Sequence, residues 1–253
     1  MTKSIKAHID LSIVIPTFEE ELSVKDTLVE IYEFLDKTNI NFEILVVDDN
    51  SNDNTQQVVK QLTSIYGKIV FLLNDKQKGF GNSILKGITE SRGTHVAIMM
   101  ADKSDSVQDL LSYYMLMESD SDLDCVFGSR WMVNGPEEYP ILKRLINRLG
   151  NKVISFLFST NYNDFTNSFK LYKRKSIEEV SPILSNHFSI TLELPLKMIV
   201  RGFKYKVVPN TWKNREHGVS KLQILNIIKT YSLVIIYCLI DKYFWKKRYV
   251  SSK

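Results

Sequence analysis

Cysteine is almost absent from this sequence: there are two, Cys125 and Cys238, far apart and each inside an apolar run. That excludes a disulfide framework and suits a reducing compartment. A long hydrophobic run is missing as well. In the most apolar stretch, "LQILNIIKTYSLVIIYCLI" (222–240), Gln223, Asn226, Lys229 and Thr230 interrupt the first half, and only 231–240 is free of charge. A full membrane span needs roughly 20 apolar residues. The opening "MTKSIKAHID" has no apolar core of the secretory kind, so no signal peptide is expected. Neither sign of charge dominates: 33 Lys and Arg against 29 Asp and Glu leave a formal +4, too mild to imply a nucleic-acid partner. Internal repeats and low-complexity segments are also missing.

What is present suffices for a full core. The chain has 253 residues, 44% of them apolar, which fits one large domain or a domain with an appendage. Four short apolar runs, "LSIVIP" (11–16), "FEILVVDD" (42–49), "KIVFLL" (68–73) and "HVAIMM" (95–100), read as strands, the second without alternation, as expected of a strand covered on both faces. Between them, 22–35, the segment from "SNDNT" and "GNSILKGITESRG" carry helical spacing or helix caps. This alternation predicts an α/β fold, a mostly parallel sheet with right-handed crossovers, and ligands at the carboxyl ends of the strands.

The second half is less regular. We expect a helix at 110–117, a strand at 124–130, and a basic amphipathic helix at 141–158. Strands are expected in "FTNSFKLYKR" and "FKYKVVPNTW", with a helix near 192–200 that has Pro195 near its start, where proline costs little. The chain divides into an α/β domain over 1–215 and a C-terminal extension over 216–253.

Two pairs of acids fall at predicted strand ends and should meet in one cleft. Asp48 and Asp49 close the second strand; Asp102 and Asp105 follow the fourth, in "IMMADKSDSV" (98–107). Carboxylates at a sheet edge can hold a hard cation such as Mg²⁺, which takes its other ligands from phosphates and water. Singly, each feature has a plain reading too. The acids cap helices, Gly79 and Gly81 serve turns, and Arg130, Lys143, Arg144 and Arg215 are solvated charge.

The order of the motifs decides between these readings. "SIVIPTFEE", "ILVVDDNSNDNT", "KGFGNSILKGI", "VFGSRW", "DFTNSFKLYKR" and "REHGVSKL" run in that order across about 11–222. Together they resemble family 2 glycosyltransferases with the GT-A fold, above all the branch of polyprenyl-phosphate sugar synthases such as the dolichol-phosphate mannose synthases. "DFTNSFK" resembles that branch's Asp-x-Thr-Ser-Gly-Phe-Arg, with Asn167 and Ser168 where Ser-Gly is usual. Phe18 and Glu19 stand for a Tyr-Asn pair, and Asn147 stands for a serine. Met100 occupies the place of the first acid in an Asp-Ala-Asp metal motif.

The resemblance implies an inverting transferase that moves a monosaccharide from a GDP- or UDP-linked donor to a polyprenyl or dolichyl phosphate. Pro16, Thr17, Glu19, Asp48, Asp49, Gly79, Gly81 and Ala101 are the implied nucleotide pocket, with Asp49 accepting a ring N–H of the base. Asp102, helped by Ser104 and Asp105, is expected to hold Mg²⁺ or Mn²⁺ that arrives with the nucleotide. A thioether is a poor ligand for either ion. Two alternatives stay open: basic residues alone neutralise the leaving diphosphate, or the acids only cap a helix.

Arg130, Lys143, Arg144, Asn147, Arg215, Ser220 and Lys221 are the implied acceptor-phosphate residues. Asp102, Arg130 and Arg215 are expected to carry catalysis. A phosphate near neutral pH is already an anion and needs cations to hold it in line, whereas a hydroxyl needs a general base. Transfer to a hydroxyl of a saccharide or lipid-linked glycan is the alternative. A non-catalytic nucleotide-sugar binder, suggested by Met100, is the third reading. The basic, aromatic "KYFWKKRY" (242–249) reads as an interfacial belt. We therefore expect a membrane-surface helix on a cytoplasmic face, with 141–158 sharing that role or else packing its apolar face on the sheet. A tilted span and a core helix are the other readings of the tail; a homo-oligomer is left open.

Overall fold

The computed structural model describes residues 8–132, 141–214 and 224–250. Its first half is β1 (Leu11–Thr17), α1 (Val24–Leu35), β2 (Phe42–Asp48), α2 (Thr55–Ile65), β3 (Ile69–Leu73), α3 (Phe80–Glu90) and β4 (His95–Ile98). There follow α4 (Val107–Ser119), β5 (Cys125–Ser129), α5 (Ile141–Phe158), β6 (Lys170–Lys173) and α6 (Arg174–Val180). The remainder is α7 (Ile190–Val200), β7 (Tyr205–Pro209) and α8 (Ile224–Val250).

The strands form one sheet in the order β3-β2-β1-β4-β6-β5-β7, parallel except for β6, which runs against both neighbours. Side chains alternate across a strand, so β1 feeds two cores. Ile13 and Ile15 pack with Leu28 and Ile31 of α1, while Val14 packs on the opposite face with Ile84 of α3. This explains why the strand sequences show no polar alternation. The polar exception, Ser12, donates to Glu43 at 2.7 Å, and Glu43 pairs with Arg92 at 2.5 Å. That buried carboxylate is thus satisfied near the amino ends of the strands, away from the cleft.

Three expectations need correction. The strand expected from 165 begins only at Lys170, because Asp164, Thr166 and Asn167 turn their side chains into a polar network instead of a ladder. The end of that expected strand opens α6, which the sequence reading omitted. Pro195 lies inside α7 and not near its start. Proline has no N–H, so the Thr191 carbonyl loses its helical donor; the buried Lys170 Nζ approaches that carbonyl at 3.3 Å.

The two amphipathic helices sit differently from core helices. α5 buries Asn151, Ile154 and Phe158 but leaves Leu142, Leu145, Leu149, Val153 and Phe156 exposed, Phe156 by 84%. The choice left open for 141–158 therefore goes against packing of its main apolar stripe on the sheet. α8 lays Tyr231, Val234 and Cys238 against the core and ties Asp241 to Arg201 at 3.1 Å, but Leu233, Ile236, Ile240 and Phe244 face outward. Among the described residues no helix is long and apolar enough to cross a membrane.

Candidate active site

β1 pairs with β2 on one side and β4 on the other, all parallel, so the loops after these strands open on one edge. At the end of β2, the buried Asp48 is wholly engaged. It accepts from Ser51 N at 2.9 Å, Ser51 Oγ at 2.6 Å and Gln56 Nε2 at 2.9 Å, with Thr17 Oγ1 3.4 Å away. These bonds brace the loop that follows β2. Asp49 differs. Its Oδ1 accepts from Asn74 Nδ2 at 2.7 Å and Gly79 N at 3.0 Å, while Oδ2 accepts nothing from the described residues. A buried acceptor held from one side is suited to a ring N–H from the other.

Pro16 and Thr17 close β1 beside these acids, and Glu19, in the left-handed region at φ 55°, donates its N–H to Ser51 Oγ at 2.9 Å. Lys78 stacks its ammonium 3.6 Å from the centre of the Phe18 ring, a neighbour the sequence reading did not name. Gly79 and Gly81 have a packing reason. A Cβ on Gly79 would stand 2.3 Å from the Asn186 carbonyl oxygen, and one on Gly81 the same distance from that of Ser185. Both glycines let the segment before α7 lie directly on the start of α3.

The loop after β4 is tightly tied. The Ala101 carbonyl accepts from Thr27 Oγ1 at 2.8 Å, Asp102 Oδ1 from Ser104 N at 3.1 Å, and Asp105 Oδ2 from Met100 N at 2.9 Å. Burial pushes the Asp105 carboxyl up to about 7, opposed by the Met100 N–H and by the charge of Arg130. The chain after β7 runs along this loop: Asp105 bridges Trp212, and Lys213 N donates to Ser104 O at 3.1 Å. Arg215 follows two positions later; it, Ser220 and Lys221 lie outside the described residues.

A hard divalent ion has a modest donor set here. No group of three His, Cys, Asp or Glu that could hold a metal occurs among the described residues. Asp105 spends an oxygen on the backbone, and Met100 offers sulfur. Asp102 likewise spends Oδ1 on Ser104 N, so these residues fit only an ion that takes most of its ligands from a diphosphate and water.

Arg130, after β5, is the most fully built part of the cleft. Its backbone N, Nε and Nη2 donate to the buried Asp164 at 2.9, 2.9 and 2.7 Å, and Nη2 donates to Thr166 Oγ1 at 3.0 Å. Asn147 of α5 donates to the same Thr166 Oγ1 at 2.7 Å, so the helix is stapled to the loop. The guanidiniums of Arg130, Arg144 and Arg148 lie 5.8, 5.7 and 6.0 Å from the Trp131 ring. Three cations therefore surround one indole, and Asp164 contacts Arg130 directly. Asp164, Trp131 and Arg148 were not singled out from the sequence, although Asp164 opens the "DFTNSFK" motif and Arg148 sits one helical turn after Arg144. The backbone of Lys143 lies in α5.

Comparison with known proteins bears on the family and the fold. A family model described as Glycosyl transferase family 2 matches residues 12–181. The dolichol-phosphate mannosyltransferase of Pyrococcus furiosus is 28% identical over 222 residues, covering 84% of this chain. This chain spans 59% of that relative's length. The polyprenol monophosphomannose synthase of Mycolicibacterium smegmatis is 28% identical over 222 residues, 85% of this chain and 82% of that protein. Among solved structures, glucosyl-3-phosphoglycerate synthase of Mycobacterium tuberculosis with Mn²⁺, UDP and glucosyl-3-phosphoglycerate superposes with a TM-score of 0.67 at 14% identity. It covers 92% of this chain and 80% of that one. The same protein with UDP alone gives 0.68 at 12% identity and the same coverage. At such identity the likeness concerns the fold, which is GT-A.

Proposed function

This chain belongs to glycosyl transferase family 2, and from that premise we propose that it transfers a monosaccharide from a UDP- or GDP-linked donor to a polyprenyl phosphate at a membrane surface. The observation that carries the reading is α5. One of its faces places Arg144, Asn147 and Arg148 beside Arg130 and Trp131, and another leaves Leu145, Leu149 and Phe156 exposed. A single helix thus offers cations for a phosphate and an apolar surface for its lipid tail. The two curated relatives named above, a dolichol-phosphate mannosyltransferase and a polyprenol monophosphomannose synthase, support the same acceptor class.

The chemistry follows from charge. Asp49 Oδ2 accepts a donor from the base, and the loop after β4 faces the diphosphate. A divalent ion bound there with the nucleotide would neutralise the leaving group as a Lewis acid, with Asp102 as its protein carboxylate. Arg130, fixed by Asp164, and Arg144 hold the acceptor phosphate in line with C1. The phosphate oxygen attacks without a deprotonating side chain, and one displacement inverts the anomeric carbon. Exposed apolar faces of α5 and α8 rest on the lipid surface, and the basic sequence "KYFWKKRY" suits anionic headgroups.

Labelled UDP- and GDP-sugars incubated with the protein, Mg²⁺ and polyprenyl phosphate in vesicles test this. The expected result is label in a chloroform-extractable lipid that mild acid releases; no lipid product from either donor class refutes it.

A further inference from the structure

Lys170 is fully buried at the start of β6, and no role above uses it. An ammonium has three N–H donors, and three carbonyls surround this one. Phe165 O and Thr191 O are each 3.3 Å away, with Asn167 O in closer contact. Two of these belong to the loop that presents Asp164 and Thr166 to Arg130. The third is the Thr191 carbonyl that Pro195 deprives of its helical partner. We propose that Lys170 is a positioning residue for the acceptor side of the cleft: it anchors the 164–167 loop to the gap in α7 and thereby fixes the angle at which Asp164 presents Arg130 to a phosphate.

Its effect on transfer rests on the function proposed above, whereas its hold on the loop does not. The groups facing the amine are Asp164 from the loop, Arg130 and Cys125 from β5 and its end, and Asp105 from the loop after β4. The Tyr162 ring centre is 5.6 Å away, and α7 contributes the Thr191 carbonyl. Burial pushes the amine down to about 7, with Asp164 pulling the other way. Above that pH the neutral amine has two N–H donors for three carbonyls, so the anchor slackens as pH rises.

The test compares wild type, Lys170→Met and Lys170→Arg; the motif this stretch resembles has arginine there. Hydrogen–deuterium exchange of the 164–168 amides is measured first, since it needs no turnover. Exchange there should quicken at least tenfold in Lys170→Met, stay near wild type in Lys170→Arg, and leave β1 and α3 unchanged. Unaltered exchange in Lys170→Met overturns the anchor.

Kinetics with a short polyprenyl phosphate follow. The acceptor KM should rise several-fold in Lys170→Met with the donor KM unchanged. In wild type it should climb between about pH 6.5 and about pH 8.5, a range in which the phosphate only gains charge, and in Lys170→Arg it should stay flat. Donor and acceptor KM rising together, or a pH response kept in Lys170→Arg, overturns the positioning role. Absence of any lipid product with wild type refutes the proposed function and leaves the exchange result to decide the anchor.

Discussion

Arg130 shows how one side chain acquires a function. In isolation it is a basic residue after a strand, the commonest kind of surface charge. The structure buries it against Asp164 through a two-nitrogen fork and against Thr166, so its direction is set before any ligand arrives. A lysine cannot reproduce that fork. Arg130→Lys should lower kcat/KM for the lipid phosphate by roughly 10–100-fold, the equivalent of about 1.5–3 kcal/mol for hydrogen bonds to a charged group. Donor affinity, measured by calorimetry, should change little; an equal loss of donor binding would contradict the assignment. At this scale the sequence was partly legible. Asp49, Asp102 and Arg130 sit in motifs with a recognisable order, and the structure gathers their loops on one edge. The loop bonds of Asp48 and Asp105 were less legible, because the letter of a carboxylate does not say which donors it will meet. Lys170 could not have been read at all, since its environment comes from a loop and a helix distant in the chain.

Among elements, α3 and the segment before α7 are joined by backbone contact at two glycines. Gly81→Ala would place a methyl 2.3 Å from the Ser185 carbonyl oxygen, where backbone and not a pliant side chain must give way. Overpacking of this kind costs typically 1–3 kcal/mol. The melting temperature should fall by several degrees, on the order of 2–4 °C per kcal/mol for a chain of this size, and nucleotide affinity should fall with it because Gly79 N holds Asp49. A stable variant with normal nucleotide binding would show that the segment is free to move aside. Element type was the most legible feature: the four apolar runs of the first half became β1 to β4, and the amphipathic spacing at 141–158 became α5 over the same residues. Failures came where tertiary context overrides local pattern. β6 is short because its upstream neighbours bond to Arg130 and Gly128, and Pro195 is tolerated in α7 because a lysine from the sheet approaches the orphaned carbonyl.

Across the whole molecule the unusual feature is where apolar surface has been left. Fully burying a side chain such as leucine or phenylalanine is worth about 1.5–3 kcal/mol, yet α5 and α8 turn several outward on described faces. A helical repeat in sequence states that one face is apolar, not whether protein or lipid covers it, so this outcome needed the packing to be seen. The double variant Leu149→Glu with Phe156→Glu should abolish co-sedimentation with anionic vesicles. Its melting temperature should stay within a degree or two of wild type, because neither residue is part of the core. Retained vesicle binding, or a large loss of stability, would mean that this surface serves another purpose.

The central claim is that the nucleophile is a phosphate oxygen steered by arginines. Its most direct measurement offers the protein a polyprenyl phosphate and the matching polyprenol, side by side, with the productive nucleotide sugar, and determines the linkage of the product by phosphorus NMR. The account predicts a sugar phosphodiester from the first and no product from the second. A glycoside formed on the free alcohol at a comparable rate would contradict it.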